Sequence, residues 1–175
     1  MIRPQAEILE IMDIFNQKDP NPRCELNYSN AYTLLVAVVL SAQSTDKGVN
    51  RATEELFKIA DTPQKMVALG LDKLKHYIKT IGLYNNKAKN IIALSKELTE
   101  KYQGEVPHNR KALENLAGVG RKTANVVLNV WFNEPTLAVD THVMRISHRL
   151  NMSDGKNPVE VEKDLLKVLP DNYKK

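Results

Sequence analysis

Leu116-Ala117-Gly118-Val119-Gly120-Arg121-Lys122-Thr123-Ala124-Asn125 decides how this chain folds and works, and eighteen residues beyond its lysine comes Asp140, in Leu137-Ala138-Val139-Asp140-Thr141-His142. Two glycines flank one small apolar residue just before an apolar helical run. Glycine admits positive φ and exposes its amide without a Cβ in the way. The helix that follows adds partial positive charge at its N-terminus. Gly118, Val119 and Gly120 thus form a turn suited to gripping a phosphate without reading a base, with Leu116 and Val119 as apolar pins. A nucleotide-binding glycine loop is excluded, because Arg121 separates the second glycine from Lys122 and no strand pattern precedes it. An isolated glycine corner before a helix is, more often than not, only a corner. Lys122 and Asp140 give this one a chemistry.

Most lysines are solvated surface charges. Lys122 opens a helix carrying Ala124, Val126, Val127, Leu128, Val130 and Trp131, which reads as apolar on almost every face and hence central and rigid. A lysine there is expected to be held. A nucleophilic amine must shed its proton, and burial, the positive helix end and the neighbouring Arg121 all act in that direction. Asp140 is a favourable helix N-cap. Capping fixes a carboxylate in space, where it can stabilise developing positive charge or relay a proton.

Outward from this centre the chain punctuates as short helices, with no useful strand alternation. Segment 4–17 is amphipathic through Ile8, Ile11, Met12 and Phe15, and Asp19-Pro20-Asn21-Pro22 breaks it. Segment 30–42 is apolar nearly all round and predicts a buried helix. Thr45 is placed to cap a helix over 46–59, and Thr62-Pro63 opens another that stops at Gly70. Helices follow over 71–79, 84–102, 109–116, 121–132 and 141–150, the last capped by Asp140. Asn157-Pro158 starts one more, which Pro170 closes. Thr80-Ile81-Gly82-Leu83-Tyr84 is a degenerate echo of the glycine hairpin. The fold class is all-α.

The 175 residues suffice for one core plus an accessory piece. An apolar fraction of 42% makes the chain globular, and a net charge of +4 permits an anionic partner without demanding one. A single cysteine, Cys24, rules out an internal disulfide and fits a reducing compartment. No signal-peptide core is visible at the N-terminus, and the apolar run Leu34–Leu40 is too short for a bilayer. His76, His108, His142 and His148 are scattered, so no metal constellation is expected. The histidines read as packing or phosphate-contact residues.

With Val39-Leu40-Ser41-Ala42-Gln43-Ser44-Thr45-Asp46, Ile78-Lys79-Thr80-Ile81-Gly82-Leu83-Tyr84-Asn85 and Val139-Asp140-Thr141-His142 added to the hairpin, the chain resembles the endonuclease III family of helix-hairpin-helix base-excision DNA glycosylases over nearly its whole length. The resemblance implies a six-helix barrel domain at 22–135, with the helix-hairpin-helix at about 109–132, and a discontinuous second helical domain from 1–21 and 136–175. It implies removal of oxidised pyrimidines and cleavage at abasic sites in double-stranded DNA. Lys122 would attack C1′ and form a Schiff base, β-elimination would cut the strand, and Asp140 would be the matching aspartate. Gln43 would fill the gap left by the flipped-out nucleotide and Leu83 would wedge the stack. Gly118, Val119, Gly120, Arg121 and His142 would complete the DNA contacts. Adenine-mismatch glycosylases resemble the chain but lack the hairpin lysine, so Lys122 favours a lyase-competent enzyme.

The family continues into a cysteine-rich segment that binds a [4Fe–4S] cluster through four thiolates. With Cys24 alone, no cofactor is expected here, and the chain reads as a form truncated before that segment, impaired and colourless. Helix 4–17 is then expected to be loosely held, with proteolysis starting near Asp19-Pro20-Asn21-Pro22. A monomer in the cytoplasm, associated with the nucleoid and not with a membrane, is expected. The alternatives are a non-catalytic helix-hairpin-helix DNA-binding module and an inactive fragment.

Overall fold

The computed structural model describes residues 2–174, and among them every regular element is helical. Met1 and Lys175, the outer limits of the expected second domain, lie outside the described residues. The first helices are α1 (Gln5–Lys18), α2 (Ala31–Ser41), α3 (Asp46–Ile59), α4 (Pro63–Leu69) and α5 (Leu71–Ile78). They continue as α6 (Tyr84–Lys101), α7 (Arg110–Glu114), α8 (Arg121–Val130), α9 (Thr141–Arg149) and α10 (Pro158–Val168), with a 3₁₀ turn at Asp171–Tyr173. All-α is what the patterning predicts.

Boundaries follow side-chain caps. Thr45 accepts the Gly48 N–H, Thr62 that of Lys65 ahead of Pro63, and Asn157 that of Glu160 ahead of Pro158. Each satisfies an amide that the helix leaves unpaired. α2 opens with a capping box in which Asn30 and Thr33 exchange bonds, and Tyr32 to Leu40 are then buried without interruption. A helix buried on all sides must be central, and α2 packs against α3, α6 and α8.

Two hydrophobic clusters result. The larger runs from Leu26 to Leu128 and gathers the buried faces of α2 to α8. The smaller holds Ile8, Val139, Met152, Val161, Leu165 and Leu169, from α1, α10 and the segments flanking α9. α8 therefore lies in one cluster, while Asp140, the cap of α9, follows a residue of the other.

α1 departs from expectation. Ile8 is fully buried in the smaller cluster, with Leu9 and Met12 against it. Arg3 donates its backbone N–H to the Asn151 carbonyl and its Nε to that of Leu150, both at 2.8 Å, and Gln5 Nε2 donates to the Val168 carbonyl at 2.8 Å. The Tyr173 hydroxyl bonds Asp13. The helix is held at both ends by residues of this chain, because one large aliphatic side chain and a few carbonyl bonds suffice to dock four turns. Ile14 and Phe15 stay exposed on the other face. Ile8→Ala should cost ~2–5 kcal/mol, the usual range for emptying a packed aliphatic site, read as a lower denaturation midpoint. An unchanged midpoint would mean α1 is not anchored through Ile8.

Candidate active site

The hairpin closes with the Val119 N–H donating to the Leu116 carbonyl at 3.1 Å, and both side chains are buried as the apolar pins should be. Gly118 takes φ 76°, and a Cβ there would come within 2.9 Å of the Asn90 side chain on α6. Only glycine allows both the backbone angle and the approach. Gly120 is not left-handed. Its φ is −95°, it is the N-cap of α8, and nothing lies within 4 Å of where its Cβ would be. That vacancy lies beside unpaired amides of the helix start. The related turn at Ile78–Leu83 repeats the closing bond, Ile81 N–H to the Ile78 carbonyl at 2.9 Å, so the sequence echo is also a structural one.

Gly120→Leu should fold, since the space is free, and should weaken binding to all duplexes alike. About tenfold is expected, the value of one hydrogen bond to a charged group. A loss confined to damaged duplexes in a filter-binding or anisotropy titration would contradict a phosphate role.

Lys122 Nζ donates to Asp140 Oδ2 at 2.8 Å. The carboxylate's other oxygen, Oδ1, accepts the His142 and Val143 N–H groups, each at 2.9 Å, and so caps α9. One aspartate fixes a helix start and meets a lysine from a different helix. Burial by itself would raise the pKa of Asp140, but the Lys122 bond and the Val143 and His142 amides outweigh it and hold the carboxyl below its ordinary range. The lysine is not buried as the apolar reading of α8 suggested, since its side chain is 54% exposed. α8 is amphipathic rather than apolar throughout: Ala124, Val127 and Leu128 are buried, while Trp131 just beyond it is exposed.

Arg121 also departs from expectation. Its guanidinium forks onto Glu162 of α10, Nε to Oε2 at 2.7 Å and Nη2 to Oε1 at 2.9 Å, with Arg110 at 3.6 Å. Glu162 is 3% exposed. A buried carboxylate needs a cation, so the Arg121 guanidinium is committed to Glu162, and much of its charge near Lys122 is balanced. The pair instead ties α8 to α10 across the two clusters, beside the Lys122–Asp140 bond. Gly120, Lys122, Asp140, Pro158 and Glu162 share one open pocket.

Asn125 and Asn129, one turn apart in an apolar helix, were overlooked by sequence reasoning. Asn125 Nδ2 donates to the Leu137 carbonyl at 2.8 Å, and the backbone carbonyl of Asn125 accepts from Thr136 Oγ1 at 2.7 Å. Asn129 Nδ2 reaches the carbonyls of Glu134 and Thr136 at 3.1 and 3.0 Å, and that of Lys174. These bonds fasten the irregular segment that delivers Asp140 opposite Lys122. Amides at four-residue spacing within an apolar helix were the available signal.

Gln43 and Leu83 sit on neighbouring loops, since a methyl built on Gly82 would meet the Gln43 carbonyl at 3.9 Å. Both are exposed and both take left-handed φ, 56° and 59°. Leu83 is 61% exposed at the N-cap of α6. A left-handed, outward-pointing leucine is uncommon. His142 is exposed in the first turn of α9.

No helix among the described residues is long and apolar enough to cross a membrane. Cys24 is half-buried against the larger cluster, and burial raises its pKa. One thiol does not fit a four-thiolate iron–sulfur cluster.

Solved structures share this fold, and curated proteins are similar in sequence. The chain is 58% identical over 166 residues to endonuclease III of Haemophilus influenzae, covering 95% of this chain and 79% of that protein. It is 53% identical over 170 residues to endonuclease III of Escherichia coli K12, covering 97% and 81%. A trapped endonuclease III–DNA covalent intermediate, an estranged-adenine complex, superposes with a TM-score of 0.93 at 46% identity over 98% of this chain and 81% of that one. A thermostable thymine-DNA glycosylase shares the fold at a TM-score of 0.73 and 20% identity. A family profile matches residues 36–171, so that the glycine hairpin, its lysine and the facing aspartate all fall within it. By that match and these identities, the chain belongs to the HhH-GPD superfamily of base excision DNA repair proteins.

Proposed function

We propose that this chain is a base-excision DNA glycosylase with abasic-site lyase activity, acting on oxidised pyrimidines in duplex DNA through Lys122. The observation that carries this reading is the 2.8 Å contact between Lys122 Nζ and Asp140 Oδ2, made between helices of different cores beside the glycine hairpin. A module that only bound DNA would need neither residue.

In the free protein the two form an ion pair, and the low proton affinity of Asp140 makes transfer of the lysine proton unfavourable. DNA closing over the pair expels water and narrows that gap by desolvating both charges. The neutral amine then attacks C1′ of the everted nucleotide. The bond from C1′ to the base breaks, and the base leaves with the electron pair. Asp140 passes the lysine proton to the departing base and, a carboxylate again, stabilises the positive charge that develops on the sugar. Loss of the amine protons and opening of the ring oxygen give an imine between Nζ and C1′. A proton then leaves C2′, the C3′–oxygen bond breaks, and the strand is cut. Gly118, Val119 and Gly120 hold a phosphate, His142 lies within reach of the backbone, and Gln43 and Leu83 occupy the space left by the everted nucleotide. The larger cluster forms one domain, and α1 with α9 and α10 the other. The DNA substrate implies the cytoplasm, at the nucleoid.

Borohydride trapping on duplex DNA carrying an abasic site tests the reading, because reduction of the imine leaves protein and DNA covalently joined. No cross-link would overturn the lyase assignment.

A further inference from the structure

Lys87 is 6% exposed and takes no part in the chemistry above. It lies in α6, four residues after Leu83, whose carbonyl accepts its backbone N–H at 3.1 Å. Its ammonium donates to the Leu40 carbonyl at 2.9 Å, the Ala42 carbonyl at 2.6 Å and Ser44 Oγ at 3.0 Å. All three donors of the ammonium are thereby used. The acceptors are the end of α2 and both neighbours of the Gln43 turn.

A helix C-terminus can be satisfied by its own next residues or by an exposed cation. Here the cation is buried, faces no carboxylate, and comes from another helix. Burial lowers its pKa, the mark of a charge placed against its solvation preference. Such an arrangement is unfavourable unless every proton finds an acceptor, and every one does. The helix that supplies it is the one whose N-cap is Leu83. One side chain therefore fastens the loop bearing Gln43 to the start of the helix bearing Leu83, where both residues hold left-handed backbone angles.

We infer that Lys87 is a positioning residue that locks Gln43 and Leu83 into a single two-pronged element, so that gap filling and wedging occur together. This rests on the role proposed above for Gln43 and Leu83. Lys87 touches no DNA. It acts by fixing the spacing of two residues that do.

The test compares two substrates with the full chain. One is a duplex carrying an oxidised pyrimidine, read by single-turnover excision. The other is a single-stranded abasic oligonucleotide, read by borohydride trapping, which has neither partner base nor stack and needs only Lys122. Lys87→Met should lower the duplex rate roughly 10²-fold, the scale of a 1 Å misplacement, and leave single-strand trapping within about twofold, since the chemistry of that step is untouched. Adding Gln43→Ala to Lys87→Met should cost no more than Lys87→Met alone, because residues acting through one another are not additive. Equal losses on both substrates, an undiminished duplex rate, or additive losses in the double variant would each overturn the inference. If Lys87→Met does not fold, Ser44→Ala decides. It removes one acceptor of the ammonium and should slow the duplex reaction alone by about tenfold, the value of one hydrogen bond to a charged group, and an unchanged rate would overturn the inference. Should Gln43→Ala and Leu83→Ala each leave the duplex rate intact, the role given to those two residues fails, and Lys87 fails with it for that separate reason.

Discussion

Lys122→Ala will leave borohydride with no imine to reduce. Its side chain is half exposed and fills no core site, so truncation leaves no cavity. Asp140 keeps its bonds to the His142 and Val143 amides and goes on capping α9. The variant should therefore fold and bind abasic duplex DNA within a few-fold of the parent. Cross-linking should fall to background, and strand cleavage by ~10⁴-fold or more, the scale of deleting a covalent nucleophile. Trapping of Lys122→Ala at the parent level would place the nucleophile elsewhere. A protein that neither trapped nor bound would instead point to a lost fold, which circular dichroism separates.

Asp140→Asn distinguishes capping from chemistry. Asparagine caps a helix as well as aspartate does, and its side-chain oxygen can take the same two amides. It cannot carry the charge that faces Lys122. Turnover should fall by ~10²-fold or more, the order expected for a lost acid–base or electrostatic group, with DNA affinity little changed. Undiminished turnover would reduce Asp140 to a cap. The same variant carries a pH signature. The folded carboxyl is held below its ordinary range, so its stabilising contribution is present above that range and is lost as pH falls through the folded value. Acid unfolding of the parent should gain from this group, and Asp140→Asn should show a flatter acid limb in denaturation midpoint against pH. Identical acid limbs would mean that the Lys122 contact does not hold the carboxyl down.

The two variants probe one 2.8 Å contact whose halves belong to different hydrophobic clusters. Its geometry depends on what fixes the clusters to each other. The Arg121–Glu162 fork and the amide bonds of Asn125 and Asn129 fall on that boundary. A buried, hydrogen-bonded ion pair adds little net stability but is costly to break on one side, which suits a part whose task is registration.

The helices and their starts were legible in the residue pattern. Thr45, Thr62-Pro63, Asp140 and Asn157-Pro158 all cap where the residue pattern placed them, because a cap needs only its own oxygen and an amide two or three residues away. The uninterrupted apolar run of α2 named the central helix, and the glycines marked the hairpin. The partners of charged and polar side chains were not legible in that pattern. Arg121, placed on DNA by its position in the motif, turns to a glutamate forty-one residues away. Lys87, one lysine among many, is buried under carbonyls forty-seven and forty-five residues back. α1 is held by residues more than a hundred positions distant. Periodicity and caps are local, and a sequence displays them directly. Which acceptor a buried cation finds depends on how separate helices meet, and only the packed chain settles that.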